Sequence, residues 1–500
     1  MTSAKMSQEE LNSYLWGAAE LLRNHIDAGA YKQYIFPLLF FKRLSDVYEE
    51  ESSAAVAEYG DPEAATWEET HRFVMPSGHR WPDVRNVGKD VGKAIASSFR
   101  AIESANSDRL EGIFGDGAWT NKRRLPDALL KDLLEHFSSK VLSLENCPED
   151  ELGQGYEYLI KRFADDSGHS AQEFYTNRTV VHLMTRLLAP ESGESVYDPT
   201  CGTAGMLISC VSYLQEQGRE WRNLSLWGQE INQLTSDIAR MNLFLHGIQD
   251  FHIANDDTLA RPAFLEGGRL RTFDVVLANP PYSIKQWDQA AFSKDPYGRN
   301  FLGTPPQGRA DYAFIQHILK SLDPERGRCA ILLPHGVLFR ASESAMREAL
   351  LEEDLIDAVI NLGAGLFYNS PMEASILICN ANRATLRKGR ILFIDARKEL
   401  VRNNGQSFLS TSNIERISNS FQSFTDSMGF SRAVPLSEIA QNGSSLSAPL
   451  YTRQRLSARR VPELNVARAY AEWSAVSEEL MNSLAEMSSS TRVDREVNDD

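Results

Sequence analysis

Apolar residues recur at helical spacing through the first third of the chain and in short β-prone runs through the middle. Leu11, Leu15, Ala18, Leu21 and Leu22 mark one helix face. Ile35, Leu38, Leu39 and Leu44 mark a second, and Leu129, Leu133, Phe137 and Val141 a third. The greasiest stretch, Tyr34 to Phe41, is ended by Lys42-Arg43. Between these helices the segment 60–90, with Pro62, Pro76, Gly78 and Pro82, reads as loop. The pattern predicts an α-helical domain over 1–163. At Ala164-Asp165-Asp166-Ser167-Gly168 the composition shifts and strands begin to alternate with helices, which predicts an α/β domain over 164–400. Strands are expected at Glu194–Asp198, Leu224–Gly228, Phe251–Ala254, Val275–Leu277, Cys329–Leu333, Ile356–Ile360, Ser375–Cys379 and Ile391–Ile394. A loop-rich extension covers 401–460. The segment 461–500 reads as a helix with Trp473, Val476, Leu480, Leu484 and Met487 on one face, suited to docking, followed by an acidic tail expected to be disordered.

Candidate chemistry collects where the strands end. In Phe273–Tyr282, FDVVLANPPY, two prolines stop a buried strand and leave a rigid loop bearing one carboxamide and one aromatic ring. An exocyclic amine on a purine or pyrimidine is a poor nucleophile, because its lone pair is delocalised into the ring. The Asn279 side-chain oxygen and the Pro280 carbonyl are placed to accept from such an amine, with Pro281 stiffening the loop and Tyr282 stacking on the base.

The first strand runs into Asp198 and the turn Pro199-Thr200-Cys201-Gly202-Thr203-Ala204-Gly205, then a helix over Met206–Gln215. A glycine turn of this kind admits a ligand close to the backbone, and it does not match GxGxxG, so a dinucleotide is not favoured. Asp198 suits an ammonium group or its bound water. Glu230, at the tip of the second strand, suits ribose hydroxyls. Asp257, after the third, suits an adenine amino group, whereas Asp256 reads as a cap or solvated turn. Each acid alone is compatible with an ordinary turn. Together with NPPY they form the layout of a nucleoside-bearing cofactor site. Upstream, Glu173-Phe174-Tyr175-Thr176-Asn177-Arg178 leads into a helix over Thr179–Leu188, capped by Thr176 or Asn177, with N–H groups left for a carboxylate. The polar loop Ser283–Arg309 is long enough to act as a lid over the site. Arg453, Arg455, Arg459 and Arg460 suit phosphate or surface acids equally.

Composition narrows the setting. Five hundred residues exceed one core, and no apolar run reaches membrane-spanning length. Five scattered cysteines and an N-terminus without a secretory apolar region fit a cytoplasmic protein that uses no membrane. Neither a zinc signature nor a P-loop is present. The net charge of −16 means that any work on DNA needs a local basic groove or a partner that supplies phosphate contacts.

These motifs resemble the modification (methyltransferase) subunit of type I restriction-modification systems, and the similarity covers nearly the whole chain. Leu15-Trp16 through Tyr31-Lys32 to Phe41 and Ser45-Asp46 is similar to that family's opening helices. Glu173–Arg178 resembles its FYTPR motif, with Asn177 in place of proline. Asp198–Gly205 resembles its glycine-rich motif, with Ala204 where glycine is common. Asn279–Tyr282 matches NPP[YF], and Gly327–Arg340 and Gly363–Phe367 also look like family segments. The motif order is that of the gamma class of amino methyltransferases. The resemblance implies a class I S-adenosylmethionine-dependent methyltransferase (Rossmann-like) domain between the helical domain and the C-terminal helix. It implies S-adenosyl-L-methionine held by Glu173, Phe174, Tyr175, Thr176, Asn177, Arg178, Asp198, Gly202, Thr203, Ala204, Gly205, Glu230 and Asp257. It further implies a target adenine flipped out of double-stranded DNA into the NPPY pocket. The implied partners are a DNA specificity subunit flanked by two copies of this chain, and a restriction subunit. The nearest rivals carry the same motif: glutamine methyltransferases that act on release factors, which are much shorter, and cytosine-N4 enzymes, which commonly have serine at the position of Asn279.

Overall fold

The computed structural model describes residues 6–23, 25–166, 176–366, 373–403, 406–453 and 473–485. Met1–Thr452 forms one compact unit and Arg453–Asp500 a second. In the second unit a helix over 473–485 carries exposed Trp473, Val476, Leu480 and Leu484; Met487, Arg455, Arg459 and Arg460 lie outside the described residues.

The first unit opens with long helices, as their apolar spacing predicts. Helix α1 (Gln8–Leu22) starts with a capping box between Ser7 and Glu10. Helix α2 (Lys32–Tyr59) ends at Gly60, whose φ of 67° is the left-handed stop that glycine allows. Helices α3 (Val91–Ala105), α4 (Asp127–Ser138) and α5 (Glu149–Asp166) complete the bundle. One expectation changes: Val141 lies beyond the end of α4 and is exposed. Lys42 and Arg43, which end the apolar run, are both buried. Lys42 pairs with Asp46, and the Arg43 Nη1 donates to the carbonyls of Leu142, Ser143 and Cys147 at 2.6–2.8 Å. A buried cation is tolerable only with partners of this kind.

Among the described residues, the rest of the first unit is built around a nine-stranded sheet. In chain order its strands are β1 (Ser195–Asp198), β2 (Ser225–Glu230), β3 (Phe251–Asn255), β4 (Val275–Ala278), β5 (Arg328–Pro334), β6 (Ile356–Leu362), β7 (Ala374–Asn380), β8 (Arg390–Ala396) and β9 (Ser431–Pro435). Their spatial order is β9-β8-β6-β7-β5-β4-β1-β2-β3. The run from β5 to β3 is parallel; β7 is antiparallel to both neighbours, and β9 to β8. From β1 the chain steps outward through β2 to β3, then crosses back to place β4 on the other side of β1, so a crevice opens at the carboxyl ends of β1 and β4.

Alternate strand residues feed two cores. Val196, Val275 and Leu277 pack with helices α6 (Arg178–Leu188), α7 (Gly205–Glu216) and one face of α8 (Gln233–Leu245). Tyr197, Val276 and Ala278 pack on the opposite side with α9 (Asp311–Lys320) and α10 (Ser344–Glu352). The other face of α8, Ile238, Met241 and Leu245, joins the core of the N-terminal helices.

The expected strands all form, with ends shifted by one or two residues. The segment read as loop-rich contains β9 and a helix, α11 (Thr411–Ser423). Its signal was present: Ser410 and Asn413 form a capping box, and Ile414, Ile417 and Phe421 recur at helical spacing and are buried.

Candidate active site

Four strand tips face the crevice. At the end of β1 Asp198 is buried, and its Oδ1 accepts from the Thr200 N–H at 3.0 Å. Burial pushes its carboxyl up to about 8, and the nearby Glu230 adds to the rise while the Thr200 bond opposes it. A carboxylate so placed gains from a cationic partner.

The turn that follows is tied down on both sides. The Cys201 N–H donates to Gln229 O at 2.9 Å, and the Asn242 Nδ2 donates to Thr203 O at 2.9 Å. Gly202 adopts φ 53° and Ala204 φ 66°. Ala204 therefore carries a left-handed conformation at a side-chain cost that glycine escapes. A Cβ added at Gly202 or Gly205 would meet nothing within 4 Å, so the turn faces open space. The Gly202 N–H donates to Glu230 Oε2 at 3.1 Å, and Asn232 N–H donates to Oε1 at 2.9 Å. These bonds fix the acid at the crevice beside the glycine turn.

The third tip is more local than expected. Asp257 Oδ1 accepts from the N–H groups of Leu259 and Ala260 at 2.9 and 3.2 Å, forming a turn cap. Asp256, read as a solvated turn residue, pairs with Arg261. Thr258 Oγ1 reaches Pro199 O at 2.5 Å and joins this loop to the glycine turn.

The fourth tip is the Asn279-Pro280-Pro281-Tyr282 loop. The Asn279 Nδ2 donates to Thr176 Oγ1 at 2.8 Å, whereas Asn279 Oδ1 is buried with no partner among the described residues. Thr200 Oγ1 is in the same condition. Both oxygens lie at the carboxyl ends of neighbouring strands, Thr200 after β1 and Asn279 after β4. Burial, followed by the charge of Asp311, drives the Tyr282 hydroxyl well above its ordinary value, so it stays neutral.

The upstream motif is brought to the same place in part. Thr176 touches Asn279. Asn177 caps α6 through Oδ1, which accepts from Thr179 N–H at 3.0 Å, and its Nδ2 donates to Ser407 O at 3.0 Å. Arg178 forms an ion pair with Glu157 of α5. Glu173, Phe174, Tyr175 and Phe367 lie outside the described residues.

The loop expected to be a lid is anchored. Arg299, 2% exposed, pairs with Asp295 at 2.6 Å and donates to Thr258 O and Leu259 O at 2.9 and 2.8 Å. Phe292 packs with Leu259, Ala313 and Phe314.

Sequence reasoning missed the residues that brace NPPY from behind. Asp311 accepts from Ser283, and Arg340 lies beside it. Of the two, the sequence singled out only Arg340, as the end of the Gly327–Arg340 segment.

The strand order, the switch-point crevice and the four tips define a class I methyltransferase domain. A family model described as N-6 DNA Methylase matches residues 148–458, and one described as HsdM N-terminal domain matches residues 11–137. The MjaIX methylase subunit of a type I restriction enzyme from Methanocaldococcus jannaschii is 26% identical, over 93% of this chain and 87% of that one. The MjaVIII methylase subunit from the same organism is 30% identical, over 89% and 78%. The crystal structure of a type I restriction-modification methyltransferase subunit from Streptococcus thermophilus superposes with a TM-score of 0.79 at 30% identity, covering 89% of this chain and 100% of that one. The chain belongs to the N-6 DNA methylase family, with an HsdM-type N-terminal domain.

Proposed function

We infer that this chain methylates the N6 of adenine in DNA as the modification subunit of a type I restriction-modification system, using S-adenosyl-L-methionine. The observation that carries this reading is the orientation of Asn279. Its amide nitrogen donates to Thr176, and its buried oxygen, just after β4, has no partner among the described residues.

The residues present fit the cofactor. Asp198 offers a buried carboxylate to the ammonium group, and the open face of Gly202 to Gly205 admits the ligand against the backbone. Glu230 suits the ribose hydroxyls and Asp257 the adenine amine. Asn177 caps α6, with Thr176 just before it, and the positive end of that helix suits the carboxylate. When bound, S-adenosylmethionine supplies a methyl group already activated as an electrophile by its sulfonium.

The protein's task is then to prepare the amine. Asn279 Oδ1 and the Pro280 carbonyl accept the N6 hydrogens and favour a tetrahedral nitrogen, which releases the lone pair from the ring. Tyr282 stacks on a base flipped from the duplex. With S-adenosylmethionine held by these residues, the lone pair so released would be aimed at the methyl group the sulfonium supplies. Positioning is the main catalytic contribution.

Target choice falls to a separate specificity subunit flanked by two copies of this chain, with a restriction subunit as a further partner. The charge of −16 fits such a division of labour, because this chain need not bring the DNA itself.

The test is transfer from labelled S-adenosylmethionine into genomic DNA of an unmodified host, with and without the specificity subunit, followed by digestion to nucleosides. Label in N6-methyladenine that depends on the partner supports the reading. Label on protein and none on DNA moves the answer to the glutamine methyltransferases.

A further inference from the structure

We propose that Asp311 is a positioning residue for methyl transfer, its buried carboxylate holding the backbone just after Tyr282 and so fixing the aromatic wall of the base pocket. The inference rests on the methyl-transfer reading above.

Ser283 has a φ of 49°, a left-handed conformation that a side chain disfavours. Two bonds hold it there. Its N–H donates to Asp311 Oδ1 at 3.1 Å, and its Oγ lies 3.3 Å from Oδ2. Asp311 is 28 residues further along the chain, so these bonds close the whole polar loop that follows NPPY. Asp311 is only 2% exposed, and a carboxylate that deep needs compensation. It receives it from the start of α9 and from Arg340, whose Nη1 is 3.5 Å from Oδ2. Arg340 is fixed in turn. Its carbonyl accepts from Arg347 Nη1 at 2.7 Å, and Glu343 lies 3.5 Å from its guanidinium. Gly336 lets it pass, since a Cβ there would stand 2.8 Å from Arg340 Nε.

The partners of Asp311 are Ser283 and Arg340, and neither belongs to the proposed cofactor set. Loss of the carboxylate should therefore act on turnover and spare cofactor affinity. The test uses the complex with the specificity subunit and the genomic-DNA assay. Asp311→Asn is expected to lower kcat about 10²-fold, the cost of a misplaced reacting group, with calorimetric affinity for S-adenosylmethionine kept within about threefold. Ser283→Pro removes the N–H and the hydroxyl and forbids positive φ, so it should reproduce the loss while the Asp311 carboxylate and its pairing with Arg340 remain. Ser283→Gly keeps the N–H and tolerates that φ, so its loss should stay below about tenfold. Should Asp311→Asn fail to fold, the proline and glycine pair decides. A wild-type kcat in Asp311→Asn, a parallel loss of cofactor affinity, or an active Ser283→Pro overturns the proposal while the function stands. A wild-type complex that makes no N6-methyladenine overturns both.

Discussion

Asn279 and Asp198 carry the proposed site at the scale of single residues. Thr176 Oγ1 accepts from the Asn279 Nδ2, and in the proposed reaction that bond orients the amide. Thr176→Val, which keeps shape and removes the hydroxyl, should lower kcat about tenfold, the worth of one orienting hydrogen bond, and Thr176→Ser should restore it. Steady-state transfer rates at saturating DNA check this. Asp198 binds a proton more tightly in the fold, at about 8, than its ordinary value of 3.8. The folded state thus holds more protons than the unfolded chain between those values, and stability falls as pH rises through that window. An ammonium ligand favours the ionised acid, so affinity for S-adenosylmethionine should climb with pH toward 8. Asp198→Asn should flatten that climb, weaken binding and raise the ligand-free Tm at pH 7.5. Calorimetry and thermal melts across pH read all three.

At the scale of elements, local chemistry was legible and tertiary chemistry was not. Two prolines after an apolar run, a glycine turn, and acids after short strands are all written within a few residues of one another. Hence β1 to β4 and their tips were read with ends off by a residue or two. The pairing of Thr176 with Asn279 spans 103 residues and that of Asp311 with Ser283 spans 28, and no local pattern announces either. Serine- and asparagine-rich α11 was lost to its own polarity, although its apolar spacing was regular. Close approach between elements is equally invisible. Gly92, on the buried face of α3, lies so near the Trp119 carbonyl that a Cβ would stand 2.0 Å from it. Gly92→Ala must push α3 away and should cost about 1–3 kcal/mol, as overpacked cores do. Urea unfolding with an unchanged slope measures it.

For the whole molecule, the helical and α/β parts meet through α8, and a buried charge lies on that seam. Asp237 is 1% exposed, with Gln233 Nε2 2.8 Å from Oδ1 and no partner for Oδ2 among the described residues. Burial raises its carboxyl to about 6; Gln233 and Arg240 oppose the rise, and Glu103 and Asp116 add to it. The sign matches Asp198, so the seam weakens as pH climbs from the ordinary value of 3.8 toward 6. Asp237→Asn should therefore stabilise the protein above pH 6 by on the order of 1 kcal/mol, with no gain at pH 4. Melting curves at the two pH values test it. α8 has a further consequence. One of its faces belongs to the sheet and the other, Ile238, Met241 and Leu245, to the N-terminal helices. The catalytic sheet is thus no portable cassette: a gene fusion that borrowed it without the first helices would expose a raw apolar stripe to water. Recombination in such a gene should respect the pair as one heritable piece.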